Sequence, residues 1–587
     1  MSRFRRFAAL LVLVTPLTVR TAHAQLTVPE RTAGARTSSY ADVMAFIDSL
    51  QQHGARMTVG TLGMSPQGKR LPYVILARPM MVTTPAQAHA TGKPVLYIEA
   101  NIHAGEVEGK EAVQMLMRDL TVGKLKPLLD SVVILFVPIY NADGNDEFGP
   151  ADLNRGEQDG PALVGWRANG QGFDLNRDYV KQDAPETRAS LAFVSKWNPD
   201  LFMDLHTTDG SYHGYALTWS PGLNPNHTPT NDWVQDTVLE QIRNRVRTRD
   251  HFETYPYGNF AGGNATPTGW DTYESFPRYG TNLAGMTRVS ILSEAYSHDP
   301  LLRRIDATYA FVLESIRYLN DHRAELRRHE QLTQAARPDS VVIRSTMLRS
   351  SRSRMDTVLV AMTRTVTLPR SDSAARANAP RVPQQKDTIG LCAAPGAGAG
   401  ARGARGGGGA RGGGGRGGAR GGGSATTRDV QEGTGEIHPV FMTVHDRFDA
   451  ARKEAIPAAY VFGAQWTPVV ERMRRQGIIV NRTTVPWTGV TSHFAVDSLT
   501  HVRYFEGHCA LLTDGEWQAP ASDTIPAGSF IVPTNQRFGM LAAFLLEPAS
   551  EDGYAYWNFF DKALAVGSPS PVRRFLKAPV IRSVPMP

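Results

Sequence analysis

Residues 25–330 predict an α/β fold: a mixed, mainly parallel sheet sandwiched by helices. A smaller C-terminal α/β or β-rich module is predicted over 435–587. Three observations carry this. Nearly continuous apolar runs such as 94–100 mark strands buried on both faces. These runs alternate with amphipathic stretches, the order of strands and covering helices. A tract of almost pure Gly, Ala and Arg from 396 to 424 cannot bury enough apolar surface to offset its ordering entropy, so 396–428 is expected to be disordered and to divide the chain. At 587 residues the chain is too long for one compact core.

In chain order, Arg3, Arg5 and Arg6, an apolar run from Phe7 to about Val19, and Ala22-His23-Ala24 read as a signal peptide over 1–24, with Gln25 as the mature start. The apolar run, interrupted by Pro16 and Thr18, is shorter than the roughly 20 residues of a bilayer span, so no span is expected after signal removal. Residues 40–53 read as a helix, 71–77 and 94–100 as strands, 107–120 as a helix and 131–140 as a strand. Then come a helix at 191–197, strands at 201–205 and 289–293, and one long helix over 301–327. Residues 331–395 read as a linker with strand-like pieces at 340–344 and 356–362 that are expected to join the C-terminal module. That module's own pattern gives strands at 458–462, 501–504 and 529–532, with helices at 467–476 and 538–545.

The net charge is +7, but Arg402, Arg405, Arg411, Arg416, Arg420 and Arg428 lie together in the Gly-rich tract. The rest of the chain is near neutral, the tract reads as a solvated linker, and no nucleic-acid partner is expected. Two cysteines, Cys392 and Cys509, suit an oxidising compartment in which they could pair, and a secreted or periplasmic location is expected. They are too few for a thiolate zinc site, so any metal must be held by His, Asp or Glu.

The informative segment is Tyr97-Ile98-Glu99-Ala100-Asn101-Ile102-His103-Ala104-Gly105-Glu106, where a buried strand runs into a turn and a helix begins. Two small residues let the backbone bend so that His103 and Glu106 converge on one point. Alone, H-x-x-E is equally a helix start with Glu106 favoured by the dipole. His206, at the end of Leu201-Phe202-Met203-Asp204-Leu205, falls at the same strand-end rim, where sites gather in open sheets. His213, His227, His251 and His298 are rivals within loop-like or polar sequence. Two histidines, one carboxylate and an open position describe a catalytic rather than a structural zinc, and one Zn2+ is expected. Glu506-Gly507-His508 and His493 in the C-terminal module read as structural polar residues.

Gly-Lys-Arg-Leu at 68–71, the His103/Glu106 turn, Asn141-Ala142-Asp143-Gly144, Trp166-Arg167, Asp174-Leu175-Asn176-Arg177, Leu205-His206 and Ser293-Glu294 occur in an order that resembles the carboxypeptidase A-like zinc metallocarboxypeptidase family over about 38–320. The resemblance implies metal ligands His103, Glu106 and His206, and Glu294 as the general base that deprotonates water and then protonates the leaving amine. It implies Arg167 as the oxyanion-stabilising cation and Asn176 with Arg177 as the grip on a substrate's free C-terminal carboxylate. Asp174 resembles the carboxylate that orients the first zinc histidine. Where well-known members carry an arginine between the zinc His and Glu, this chain has Ala104-Gly105, a pattern also similar to the aspartoacylase and succinylglutamate-desuccinylase branch. The family's mobile tyrosine has three candidates, Tyr257, Tyr273 and Tyr279. The expectation is an exported metallocarboxypeptidase acting on peptides. An amidohydrolase of N-acyl amino acids or cell-wall peptides, and a non-catalytic binding protein on the same fold, are the alternatives.

Overall fold

The computed structural model describes residues 25–226, 228–347, 353–371, 392 and 427–586. The expected signal peptide, His227 and nearly all of the Gly/Arg tract lie outside the described residues. The last two residues of that tract, Thr427 and Arg428, open a strand.

An eight-stranded sheet organises the first part, in the order 58–64, 70–76, 133–137, 95–100, 201–207, 289–295, 217–221, 254–256. The four middle strands, from 133–137 to 289–295, run parallel, while both strands on the 58–76 side and 217–221 pair antiparallel. This is the mixed, mainly parallel sheet expected from the apolar runs. Alternation along Val95–Ala100 sends Leu96 and Ile98 to one face and Val95 and Tyr97 to the other. The first face packs on helices Tyr40–Gln52, Glu108–Thr121, Leu239–Arg249 and Leu301–Asp321 through residues such as Phe46, Leu116, Ile242 and Phe311. The second packs on helix Pro185–Trp197 and, in the same apolar cluster, on Tyr460, Met473, Phe544 and Trp557 from beyond residue 455. The two parts of the chain thus share a core.

Local sequence sets the element ends. Ser39 caps helix Tyr40–Gln52 with a reciprocal Ser39/Asp42 box, and Asn198 closes Pro185–Trp197 in the left-handed conformation. The single helix expected over 301–327 is two, Leu301–Asp321 and Arg323–Ala335. At the break His322 leaves helical geometry (φ −107°, ψ 28°), and its ring lies 2.9 Å from the Tyr318 carbonyl, which also accepts the His322 backbone N–H at 3.0 Å.

The second part is β-rich, with a sheet that also has eight strands, among them Ala459–Phe462, Trp487–Phe505, His508–Trp517 and Phe530–Pro533. Helices Thr467–Arg475 and Gly539–Leu546 cover it. Strand Ser340–Met347 pairs with Phe448–Ala455 in a separate two-stranded sheet. Strand Arg354–Pro369 pairs with Thr427–His445 in a long ribbon whose second strand also pairs with Gly269–Asp271 of the first part. Cys392 and Cys509 form a disulfide with a Cα–Cα distance of 5.5 Å. Among the described residues no helix is long and apolar enough to cross a membrane.

Candidate metal centre and active site

The Val95–Ala100 strand ends at Asn101, whose φ of 67° turns the chain sharply; asparagine tolerates this conformation. Its side-chain amide donates to the Ala104 carbonyl at 3.2 Å, which holds the His103–Glu106 turn closed. A side chain at Gly105 would come within 3.0 Å of the Gly165 carbonyl, so the small residue there is a packing requirement. Asn141 donates to the carbonyls of Ile102 and Arg167, joining this turn to the Arg167 loop. Gly144 is pressed so closely on that loop that a Cβ would meet the Trp166 carbonyl at 2.5 Å.

His206 lies on the neighbouring parallel strand, Leu201–Thr207, and Glu294 stands directly opposite it on Val289–Ala295. Directly paired residues share a face, so both side chains emerge on the side turned toward the second part of the chain.

His103, Glu106 and His206, all buried, are the one metal-binding group of three or more His, Cys, Asp or Glu side chains among the described residues. The His103 Nδ1 lies 3.0 Å from Glu106 Oε1, the His206 Nδ1 lies 2.9 Å from Glu106 Oε2, and the two Nδ1 atoms are 3.2 Å apart. Ligands at the usual zinc bond lengths in a tetrahedron stand about 3.3 Å from each other. The opposite ring nitrogens fix the tautomers: His103 Nε2 donates to Asp174 at 2.9 Å, and His206 Nε2 donates to Asp204 at 2.8 Å. Both Nδ1 atoms therefore face each other and a carboxylate, and in the neutral tautomers with Nε2 protonated their lone pairs are placed to coordinate a cation. The residues fit a zinc ion.

Around the triad, Arg155 donates to Glu106 Oε1 at 2.7 Å and to the carbonyls of Thr207 and Thr208. Burial alone would raise the Glu106 carboxyl, but Arg155 and His103 outweigh it and hold the group well below the usual range. Arg167 spans Asp174 Oδ2, at 2.9 Å from Nε, and Glu106 Oε1, at 3.2 Å from Nη1, with part of its side chain still open to solvent. Asp174 is likewise held well below its normal value: burial opposes, and Arg167 and His103 prevail. Glu294 is 7 % exposed, and burial pushes its carboxyl up to about 8 against the pull of His206.

Asn176 and Arg177 sit on a single short turn, Leu175–Arg177. The Arg177 guanidinium stacks 3.9 Å from the Tyr279 ring centroid and stays partly exposed. Asn176 Oδ1 accepts from the Gly280 N–H at 3.0 Å, and its Nδ2 lies 3.1 Å from His206 Nε2, so this amide is deeper in the site than its neighbour. Of the three tyrosines, Tyr279 donates to Glu274 and Tyr257 to Asp209, whereas the Tyr273 hydroxyl is buried beside Ser220 and Thr281.

The rival histidines go elsewhere. His213 is buried among Tyr296, Tyr215 and Trp270, where burial drives its pKa down to about 3. His298 stacks on Tyr212, and His251 lies in a turn with φ 62°. His493 neighbours Asp523 in the second part. Arg155 and Asp204 were missed from the sequence. Asp204 had a signal, since it shares a strand face with His206 two residues on; Arg155, in a loop between short elements, had none.

The sequence model of the zinc carboxypeptidase family matches residues 43–276, ending before Glu294. Carboxypeptidase 2 of Trichophyton tonsurans is 20% identical over 506 residues, which covers 84% of this chain and 78% of the fungal one. Human carboxypeptidase D is 25% identical over 167 residues, 26% of this chain and 12% of its own. A metallo-carboxypeptidase crystal structure from Burkholderia cenocepacia aligns over 49% of this chain and 70% of its own, at 17% identity and a TM-score of 0.36. The stretch matched at 43–276, in which both histidines and the glutamate of the triad lie, is similar to the zinc carboxypeptidase family of metallopeptidases.

Proposed function

We propose that this protein is an exported carboxypeptidase that binds one zinc ion through His103, Glu106 and His206 and removes C-terminal residues from peptides. The observation that carries the reading is the inward convergence of two Nδ1 atoms and a carboxylate within 3.2 Å, with both outward nitrogens held by aspartates. The Cys392–Cys509 disulfide supports an oxidising compartment.

A zinc ion held there supplies Lewis-acid polarisation of the scissile carbonyl and acidifies water at the site. Glu294, beside His206 and with its carboxylate free of hydrogen-bond donors among the described residues, takes the proton from water and delivers it to the leaving amine. Arg167 presents its guanidinium to the oxyanion that develops on the substrate. Arg177 offers a planar fork to the terminal carboxylate, with Asn176 beside it at the base of the pocket, and this selects exopeptidase over endopeptidase action.

The test is removal of metal with a chelator, then zinc reconstitution on a C-terminally diverse peptide library, with amidated peptides, N-acyl amino acids and murein fragments in parallel. Zinc-restored cleavage confined to free C-termini is expected. Turnover of acyl amino acids or murein fragments alone assigns an amidohydrolase, and absence of stoichiometric zinc assigns a binding protein.

A further inference from the structure

Asp174 is a hub. Its carboxylate accepts from His103 Nε2, Arg167 Nε and the Asn176 backbone N–H, so one residue orients a metal ligand, the oxyanion cation and the turn that carries Arg177. Its own backbone N–H donates to Glu506 Oε2 at 2.9 Å, from a residue 332 positions later in the chain.

Glu506 sits at the tip of a hairpin. Strands Trp487–Phe505 and His508–Trp517 pair up to Phe505↔His508, leaving Glu506-Gly507 as a two-residue turn with φ of 48° and 83°. Turns with two left-handed residues favour Asn-Gly or Asp-Gly. A glutamate is a poor choice for this conformation, and such local cost is typically kept where the side chain has work elsewhere. Here the side chain is 1 % exposed and reaches across to the catalytic loop.

The hairpin is fixed on several sides. A Cβ on Gly507 would meet the Phe173 ring at 3.4 Å, His508 lies 2.7 Å from Asp183 Oδ2, and Cys509 is bonded to Cys392. Nearby, Asp552 accepts the Arg278 backbone N–H, and the Arg278 guanidinium lies over Phe276 and Trp557.

We propose that Glu506 is a positioning residue for the reaction: the second part of the chain completes the active site by holding the Asp174 backbone, and through it His103, Arg167 and Arg177. The inference rests on the metallocarboxypeptidase reading. Burial and the nearby Asp174 push the Glu506 carboxyl up to about 8, so an uncharged amide of the same shape should replace it well.

The test compares Glu506→Asp, Glu506→Ala, Glu506→Gln and His508→Gln in the full chain. The measurements are zinc release to a chromogenic chelator, kcat and KM on a C-terminally free peptide, and thermal melting. Aspartate suits the turn better but withdraws the acceptor by one methylene, so a merely structural role predicts equal or better behaviour. We expect Glu506→Asp and Glu506→Ala to release zinc on the order of tenfold faster and to lose on the order of tenfold in kcat/KM. Glu506→Gln should stay within about twofold of the parent on both, as should His508→Gln, which loosens the same hairpin without touching Asp174. Parent-like zinc release in Glu506→Asp, equal losses in His508→Gln, or failure of Gln to rescue overturns the proposal. A parent protein that binds zinc but leaves peptides intact sinks the carboxypeptidase reading instead, and zinc release still decides this one.

Discussion

Each eight-stranded sheet buries a glutamate under strong desolvation, and the two are treated in opposite ways. Against the second sheet, Glu547 at the end of helix Gly539–Leu546 accepts from Arg574 Nε at 3.1 Å, from Trp517 Nε1 at 3.0 Å and from the Tyr460 hydroxyl. In the first sheet the Glu294 carboxylate accepts no hydrogen bond among the described residues, and its neighbours His206, Glu106, Asp209 and Arg155 act only through space. Burial leaves both carboxyls raised, but at Glu547 Arg574 and a ring of donors oppose it directly. A buried charge with every bond filled holds a fold together; one left without donors is available to exchange a proton. Substitutions should separate the two classes, and the expected effects are given in decreasing size.

The largest falls on the ligands. His206→Ala should abolish stoichiometric zinc, read by metal analysis, and reduce peptide turnover to background, because two ligands cannot retain the ion against a chelator. Full zinc occupancy in that variant removes the proposed centre. Next, Glu294→Gln keeps the shape and should keep the zinc, yet lose on the order of 10²–10⁴ in kcat. Near-parent kcat would assign proton transfer to another group.

The counterpart in the second sheet is Arg574→Met. It leaves Glu547 buried without its cation, which should cost about 3–5 kcal/mol of stability in denaturant unfolding. The kcat per folded molecule should hardly change. If Arg574→Met instead lowered kcat while the melting transition stayed put, the contrast between the sheets would collapse. Smaller again is Arg177→Ala. Losing a charged hydrogen-bonding partner should raise KM about 10–100-fold for peptides with a free C-terminus. Amidated peptides, which offer no carboxylate, should be cleaved no worse than before, and an equal loss on both would move the terminal-carboxylate grip away from Arg177.

What the sequence disclosed follows the same division. His103 and Glu106 were legible because one turn carries both, immediately after an unbroken apolar strand. His206 and Glu294 were legible because each follows or ends such a strand, and parallel pairing then sets them side by side. Asp204 was within reach of the same reasoning through strand alternation. Arg155 and Glu506 were not: each meets the site by tertiary approach, Arg155 from a loop and Glu506 across 332 residues, and no local pattern encodes either encounter. Glu506-Gly507-His508 read from sequence as ordinary structural polarity because a hairpin turn looks the same whether or not it touches a catalytic loop. The break at His322 was hidden for a related reason: the apolar periodicity continues through it while the backbone of a single residue leaves helical geometry.

The smallest effect, and the sharpest on Glu294 itself, is the pH profile. A general base works only when deprotonated, so kcat/KM must fall as pH drops through the Glu294 pKa. Burial pushes that value up to about 8 from 4.5, with Glu106 and Asp209 adding to the rise and His206 and Arg155 opposing it. A dication in the triad adds attraction for the charged form and lowers the value again. The acid limb is therefore expected between 4.5 and 8, with the slope of a single proton. Protonation of the histidine ligands at low pH would also give a limb, by metal loss, so the profile needs a control. The residual activity of Glu294→Gln should lack the Glu294 limb and keep only the fall that accompanies zinc release, followed in parallel by chelator. An identical limb in both proteins would mean that the titrating group is on the metal side of the site, and that the donor-poor environment of Glu294 has some other purpose.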